Sequence, residues 1–110
     1  MSSLSNQTIT RLESVIAARR AAASDASYIA TLSARGRSRI AQKIGEEAVE
    51  TVIAAICDDS HGMVSESADL VFHLLILLAD MGLSWDAVMA ELDIRDGVSG
   101  LAEKASRKED

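Results

Sequence analysis

The amino-acid sequence predicts a single all-α domain. Apolar residues make up 48% of the 110 residues, aromatic residues only 3%, and proline is absent. Alanine and leucine are abundant, and both favour helices, whereas sandwiches and barrels are richer in β-branched and aromatic residues. A chain of this length can bury a core of its own.

Apolar spacing and turn residues divide the chain into helices. The expected elements are a helix over residues 8–23, a short helical segment over 27–36, a long helix over 37–57, a helix from a Ser65 N-cap to the Met81-Gly82 pair, and a helix over 85–95 capped by Ser84. Residues 1–95 therefore form the predicted domain, and residues 96–110 form a charged, glycine-containing tail.

Composition also limits the classes of function. A net charge of −6 argues against a general nucleic-acid binder, which needs a basic face. The longest uninterrupted apolar run, residues 74–79, is far shorter than the ~20 residues of a membrane span. The N-terminal segment is polar, and the single Cys57 cannot form an intramolecular disulfide. We expect a cytoplasmic protein that binds neither nucleic acid nor membrane.

The long helix carries a dense group of glutamates. Glu46, Glu47 and Glu50 fall within an arc of roughly 100° of this helix, and Lys43 lies on the same stripe. Apolar residues occupy the other side. Taken alone, this pattern also fits an ordinary amphipathic helix whose acidic face is solvated and whose Lys43 pairs with Glu46 or Glu47.

The following helix also carries acidic residues, on a surface that is otherwise nearly all apolar. Its polar residues share a stripe of roughly 60°: Glu66, Asp69, His73 and Asp80. A helix that is apolar in nearly every other direction is typically buried, and buried carboxylates need a partner or a metal. The alternative is that this stripe is the one wet face of an edge helix. His73 is expected to be a hydrogen-bonded interior residue.

A helical hairpin brings the two acidic stripes together. If the chain turns at about residues 59–61, the helices are antiparallel, Glu50 lies opposite Asp69, and Glu47 lies opposite His73. Carboxylates converging without cations repel each other, and Mg²⁺ with oxygen ligands relieves that repulsion. We therefore predict a Mg²⁺ site formed by four residues: Glu47, Glu50, Glu66 and Asp69. Zinc is less suitable because cysteine and histidine are scarce.

The segments that carry these residues resemble a known family. "QKIGEEAVETVIAA" followed by "ESADLVFHLLILLADMGLSWDAVMAEL" resembles phosphoribosyl-ATP pyrophosphohydrolase, an enzyme of histidine biosynthesis, and the similarity spans nearly the whole chain. Its Glu-x-x-Glu and Glu-x-x-Asp pairs are shared with the wider MazG-like all-α nucleoside triphosphate pyrophosphatases. The resemblance implies a Mg²⁺-dependent homodimer that splits phosphoribosyl-ATP into phosphoribosyl-AMP and pyrophosphate. The chain departs from it at Thr31, where the family often has lysine, and at Ser38, where many relatives are acidic.

Further roles follow from position along the helices. Glu46, next to the predicted ligands, is the candidate to orient or deprotonate a water, and a salt bridge to Lys43 is its alternative role. Five basic residues are candidates for binding substrate phosphates: Lys43, Arg37, Arg39, Lys104 and Arg107.

One hairpin is not expected to cover the apolar surface of residues 70–78. Pairing of two hairpins as a C2-symmetric four-helix bundle would bury it, so we expect a homodimer. Two other functions remain open from sequence: a house-cleaning nucleotide pyrophosphatase, and a non-catalytic helical adaptor whose acidic stripe binds a basic partner.

Overall fold

The computed structural model describes residues 4–97, and all regular structure in that range is helical. The all-α prediction is therefore confirmed for the described part of the chain. The elements are α1 (Leu4–Arg20), α2 (Tyr28–Ala34), α3 (Arg37–Ile56), α4 (Ser60–Asp80) and α5 (Trp85–Gly97). The two long helices, α3 and α4, form the central hairpin, and α1 and α2 pack against it.

A tight turn of residues 57–59 joins α3 to α4. Asp58 has a left-handed φ of 56°, and the Asp59 carboxylate accepts a hydrogen bond from the Gly62 amide at 2.9 Å, which caps α4. A β-carbon at Gly62 would collide with that carboxylate. The predicted N-cap at Ser65 is wrong, because Asp59 provides the cap and the intervening residues belong to the first turns of α4.

The boundaries of the outer helices also differ from the predicted ones. α1 begins before residue 8 and ends at Arg20 rather than at residue 23. The predicted start of α2 is confirmed, since the Ser27 hydroxyl accepts from the Ala30 amide at 3.1 Å. Ser84 caps α5 as predicted, through the Ala87 amide at 3.1 Å. α5 continues to Gly97, two residues into the predicted tail, and residues 98–110 lie outside the described range.

The core lies where α1, α2 and the start of α3 meet the second half of α4. Its buried members are Ile16, Ile29, Leu32, Ile40, Leu75 and Ile76. Because α1 and α2 cover the second half of α4, residues 70–78 are buried or half-buried, contrary to the expectation that this surface is left uncovered.

The large exposed apolar surface lies instead on α3. Val49, Val52, Ile53 and Ile56 are 54–80% exposed, and they form two pairs four residues apart, Val49 with Ile53 and Val52 with Ile56. They therefore form one stripe along α3, which we call the α3 stripe. Val64 of α4 is also exposed.

α4 is long and apolar enough, by length and composition alone, to cross a membrane. Core helices of globular proteins often meet the same criterion. Glu66, Asp69 and Asp80 interrupt its apolar surface, and α4 packs along α3 over its length. We therefore interpret α4 as the central helix of a globular fold.

Asp80 joins three helices at the end of the hairpin far from the turn. Its carboxylate accepts a hydrogen bond from Arg37 Nε at 2.7 Å and another from Arg20 Nη1 at 3.2 Å. Arg37 also donates to the Asp80 main-chain carbonyl at 3.3 Å. The hydrogen bond from Arg37, followed by that from Arg20 and the charges of both guanidinium groups, lowers the pKa of Asp80 despite its partial desolvation.

Replacing Asp80 with Asn keeps the side chain's size and removes its charge. Because the pKa of Asp80 is lower in the folded state, its stabilisation is complete above the ordinary value of 3.8 and is lost as the pH falls below it. We expect Asp80→Asn to lower the free energy of unfolding by about 1–2 kcal/mol at pH 7. Urea titrations at pH 7 and pH 3, with Asp93→Asn as a surface control, measure this difference. A deficit that is equally large at pH 3 would contradict the ion-pair explanation.

Candidate active site

Three carboxylates from the two hairpin helices meet between α3 and α4. One oxygen each of Glu47, Glu66 and Asp69 lies within 4.8 Å of the other two. Glu66 and Asp69 are three residues apart and so lie on one face of α4. Glu47 faces them from α3 and is only 7% exposed. We call these three residues the carboxylate cluster.

Glu50 lies beside the cluster, next to Glu66. The Glu50 carboxylate lies near enough to raise the pKa of Glu66. Both residues line a cavity of about 210 Å³ near the hairpin turn. The predicted register, with Glu50 opposite Asp69 and Glu47 opposite His73, is therefore wrong. Because the turn ends at Asp59, Glu47 meets Asp69 and Glu66, and Glu50 meets Glu66.

Two oxygen atoms of the cluster have unused hydrogen-bonding capacity. Glu47 Oε1 and Glu66 Oε1 are buried and have no hydrogen-bond partner among the described residues. A buried oxygen without a donor is costly, and a cation coordinated by it would remove that cost. Clustered carboxylate oxygens are also the ligands that hard divalent cations prefer. The residues present therefore fit such an ion.

The surroundings of Glu66 change its pKa. Desolvation by burial, the hydrogen bonds that a protonated Glu66 can donate to the neighbouring Glu47 and Glu50 carboxylates, and the negative charges of these two residues together raise the pKa of Glu66 from 4.5 to about 7. All three effects favour the protonated, neutral form of Glu66. A bound cation would favour the ionised form instead.

Basic side chains lie on one side of the cluster. Lys43 Nζ is 3.5 Å from Glu46 Oε1 and 3.7 Å from Glu47 Oε2, and Arg39 Nη1 is 3.7 Å from Glu46 Oε2. Partial desolvation lowers the pKa of Lys43, but Tyr28, Glu46 and Glu47 outweigh it, so this pKa lies above its usual value. Lys43 thus connects the predicted catalytic residue, Glu46, with the cluster.

Of the other predicted phosphate-binding residues, only Arg37 is described by the structure, and it lies away from the cluster. Arg37 is held by Asp80 and is ten residues before Glu47, a rise of about 15 Å along α3. Lys104 and Arg107 lie outside the described residues. The Thr31 hydroxyl lies within hydrogen-bonding distance of the main-chain carbonyls of Ser24 and Ser27, at 2.7 and 2.9 Å. It therefore stabilises the local backbone at the start of α2.

His73 is an interior residue with hydrogen bonds at both ring nitrogens, as predicted. It is 5% exposed; Nδ1 lies 2.8 Å from the Asp69 main-chain oxygen, and Nε2 lies 2.6 Å from the Tyr28 hydroxyl. The bond to Asp69 is to its carbonyl and not to its carboxylate. Tyr28 was not predicted as a neighbour of the site, because 45 residues separate it from His73 along the chain.

The helical hairpin and its cluster define a class: all-α proteins that gather carboxylates between two antiparallel helices as a candidate divalent-cation site. A family model described as phosphoribosyl-ATP pyrophosphohydrolase matches residues 9–96 of this chain. The chain belongs to the phosphoribosyl-ATP pyrophosphohydrolase family, and its fold is that of the MazG-like all-α group.

Curated relatives cover nearly the whole chain. A protein of Sphingopyxis alaskensis named phosphoribosyl-ATP pyrophosphatase is 57% identical over 97% of this chain and 99% of its own length. Proteins with the same name from Rhizorhabdus wittichii and Zymomonas mobilis are 60% and 56% identical, over 91% and 94% of this chain and 94% and 97% of their own lengths. The resemblance seen in the sequence is thereby confirmed.

The raised pKa of Glu66 predicts how stability changes with pH. Because the folded-state pKa exceeds the ordinary 4.5, stabilisation from the protonated form is complete below about pH 4.5 and is lost as the pH rises through about 7. We expect the unfolding midpoint of the protein in chelator to fall between pH 5 and 8, and Glu66→Gln to flatten this fall. Thermal unfolding across that range measures it, with Glu91→Gln as an exposed control. An equally steep decline in Glu66→Gln would refute the assignment.

Proposed function

We propose that this protein hydrolyses phosphoribosyl-ATP to phosphoribosyl-AMP and pyrophosphate, the second step of histidine biosynthesis, in a Mg²⁺-dependent reaction in the cytoplasm. The single observation that carries the proposal is the carboxylate cluster in a chain of this family, with two buried oxygens for which residues 4–97 provide no hydrogen-bond donor. The names of its relatives support the choice of substrate.

The acidic residues would hold the cation between α3 and α4. Glu47, Glu66 and Asp69 supply converging oxygens, and Glu50 lies close enough to Glu66 to complete the set. When bound, Mg²⁺ supplies positive charge against the substrate phosphates and makes water a stronger acid. The two helices hold these ligands on regular backbone, which favours a preorganised site.

The reaction transfers the α-phosphorus from pyrophosphate to water. Water oxygen forms a bond to the α-phosphorus, the bond from that phosphorus to the bridging oxygen breaks, and pyrophosphate leaves with the electron pair. We assign Glu46 as the residue that accepts the proton of the attacking water. Its side chain is 44% exposed, and its carboxylate lies between Lys43 and Arg39. The alternative role of Glu46 is a purely structural salt bridge to Lys43, and its ion pairs with these two residues also fit that role.

Lys43 and Arg39 are the basic residues best placed to bind a substrate phosphate. Both approach Glu46 from the same helix, Lys43 from about one turn and Arg39 from about two turns before Glu47. Arg39 Nε is buried without a hydrogen-bond partner among the described residues, so the described part of the chain does not use all the donors of this guanidinium group. The contacts of Arg37 with Asp80 favour a structural role for it, while Lys104 and Arg107 remain predictions from the sequence.

We include a homodimer in this proposal, with the α3 stripe as its interface. An apolar row that is more than half exposed over two turns is a surface that a second copy of the hairpin would cover. Glu46 and Glu50 border this row, and a shallow cavity lined by both continues along Val49 and Ile53. Dimerisation would thus place the second copy beside the carboxylates and limit access of water to them.

Pyrophosphate release from phosphoribosyl-ATP, with and without Mg²⁺, tests the proposed reaction. We expect Mg²⁺-dependent release by the wild-type protein, and a loss of about 100-fold or more in Glu50→Gln and Asp69→Asn, because each removes a ligand charge. ATP and dUTP serve as control substrates, and Asp93→Asn as a control variant. Turnover of the control nucleotides alone would point to a house-cleaning pyrophosphatase, and turnover without Mg²⁺ would contradict the role of the cluster.

A charge placed within the α3 stripe tests the proposed interface. We expect the wild-type protein to have twice the 11.7 kDa mass of the chain and Val52→Asp to have the mass of one chain, because a buried carboxylate opposes association. Light scattering coupled to gel filtration measures both masses. Val15→Asp, on the exposed side of α1, is the matched control and is expected to remain dimeric. A dimeric Val52→Asp would place the interface elsewhere.

A further inference from the structure

Gly45 lies in the interior of α3, where the described part of the chain does not require a glycine. Glycine within a helix is less stable than alanine, because its backbone loses more conformational entropy on folding. Gly45 does not have a left-handed φ, since Gly36 and Gly82 are the described glycines with positive φ. A β-carbon on Gly45 would meet no atom within 4 Å. The space that this exposed glycine leaves therefore lies on the outer surface of α3.

This glycine extends the exposed apolar surface of α3 toward the start of the helix. Four residues follow one another at spacings of four, three and four, and we call them the α3 seam: Gly45, Val49, Val52 and Ile56. Two helices that pair along their length contact each other at this spacing. The four positions share an arc of roughly 60° of the helix. The buried Glu47 lies on the opposite side, so the space at Gly45 faces away from the carboxylate cluster.

The sizes of the side chains differ between the two ends of the α3 seam. Its first residue is Gly45, and its last is Ile56, which at 80% is the most exposed large apolar residue in the described range. In an antiparallel pair the first seam residue of each copy faces the last seam residue of the other. The partner's Ile56 would then fill the space at Gly45, and Val49 would face the partner's Val52. In a parallel pair two glycines would face each other and leave a void.

The charges at the two ends of α3 favour the same orientation. Basic residues lie at its start and acidic residues directly after its end: Arg35, Arg37 and Arg39, and Asp58 and Asp59. An antiparallel pair places the basic start of each helix beside the acidic end of its partner, whereas a parallel pair places like charges together. Charge complementarity of this kind determines orientation more than affinity.

We propose that α3 pairs antiparallel with α3 of a second copy, and that Ile56 of the partner subunit packs into the space left by Gly45. This inference rests on the homodimer of the proposed function, and it assigns the orientation of the two copies and the contact that requires a glycine. Two-fold symmetry repeats the contact at both ends of the pair. Because Glu46 directly follows Gly45, each contact lies beside the residue assigned to accept the water proton.

Disulfide formation between introduced cysteines tests this pairing. All variants carry Cys57→Ser, which removes the exposed native cysteine, together with Gly45→Cys, Ile56→Cys or both. Positions 45 and 56 are roughly 16 Å apart along one helix, too far for a disulfide within one copy. We expect oxidation to link two chains in the variant with both changes, at least about tenfold more than in either single variant. An equimolar mixture of the two single variants should also be linked, and a denaturing gel without reductant measures each product.

A larger side chain at position 45 tests whether a second copy uses the space. We expect Gly45→Ile to raise the dissociation constant of the dimer at least about tenfold, because it overpacks the contact, and Ile56→Ala added to it to restore most of the affinity. Sedimentation measures the dissociation constants, and thermal unfolding verifies the fold of each variant. Ala18→Ile, on the exposed side of α1, is the matched control and should leave the dissociation constant unchanged.

Three results would overturn the proposal. Links formed by each single variant alone would show that the two helices run parallel. A dimeric protein that forms no links in any variant would show that the copies contact each other elsewhere. A Gly45→Ile variant that remains dimeric but has a higher KM for phosphoribosyl-ATP would show that a ligand occupies the space at Gly45.

Failure of the proposed reaction gives a different result. If the wild-type protein releases no pyrophosphate from phosphoribosyl-ATP while the variant with both cysteines is linked, the reaction is wrong and the pairing stands. If the wild-type protein has the mass of one chain, the homodimer is wrong, and the pairing is wrong with it.

Discussion

The close approach of carboxylates from α3 and α4 is the constraint on which the rest of this structure depends. Glu47, Glu66 and Asp69 come together only because two helices run antiparallel at short distance, and like charges oppose that approach. Protonation of Glu66 offsets part of the repulsion, and a bound cation would offset more. The hairpin must therefore be held together by interactions outside the cluster itself.

Those interactions lie at both ends of the hairpin and on one side of it. At the turn, Asp59 caps α4 and fixes the register; at the other end, Asp80 holds Arg20 and Arg37 and so joins α4 to α1 and α3. Between the ends, α1 and α2 pack on the second half of α4 and bury its apolar residues. Glu13 of α1 also accepts a hydrogen bond from the Trp85 amide at 2.9 Å, which fixes the start of α5.

The sequence predicted the helices well because helical periodicity and capping residues are local signals. The identity of the carboxylates followed from the same signals, since spacings of three place Glu66 and Asp69 on one face. Register was missed, because Asp59 and Ser65 are both good N-caps and only the folded turn shows which one is used. The Tyr28–His73 pair was missed for a different reason: its members are distant in sequence, and no local pattern connects a half-exposed tyrosine with a buried histidine.

The distribution of apolar surface connects stability with the chemistry of the site. α1 and α2 cover α4, so the hairpin's second helix is shielded, whereas α3 leaves a stripe of valine and isoleucine exposed directly beside Glu46 and Glu50. In the proposed homodimer, a second copy would cover the valine and isoleucine side chains of this stripe. Glu46 and Glu50 would then lie at the border of the interface, because they flank the stripe on the same helix. One face of α3 can therefore serve both association and the acidic site, since apolar and carboxylate side chains follow each other around the helix.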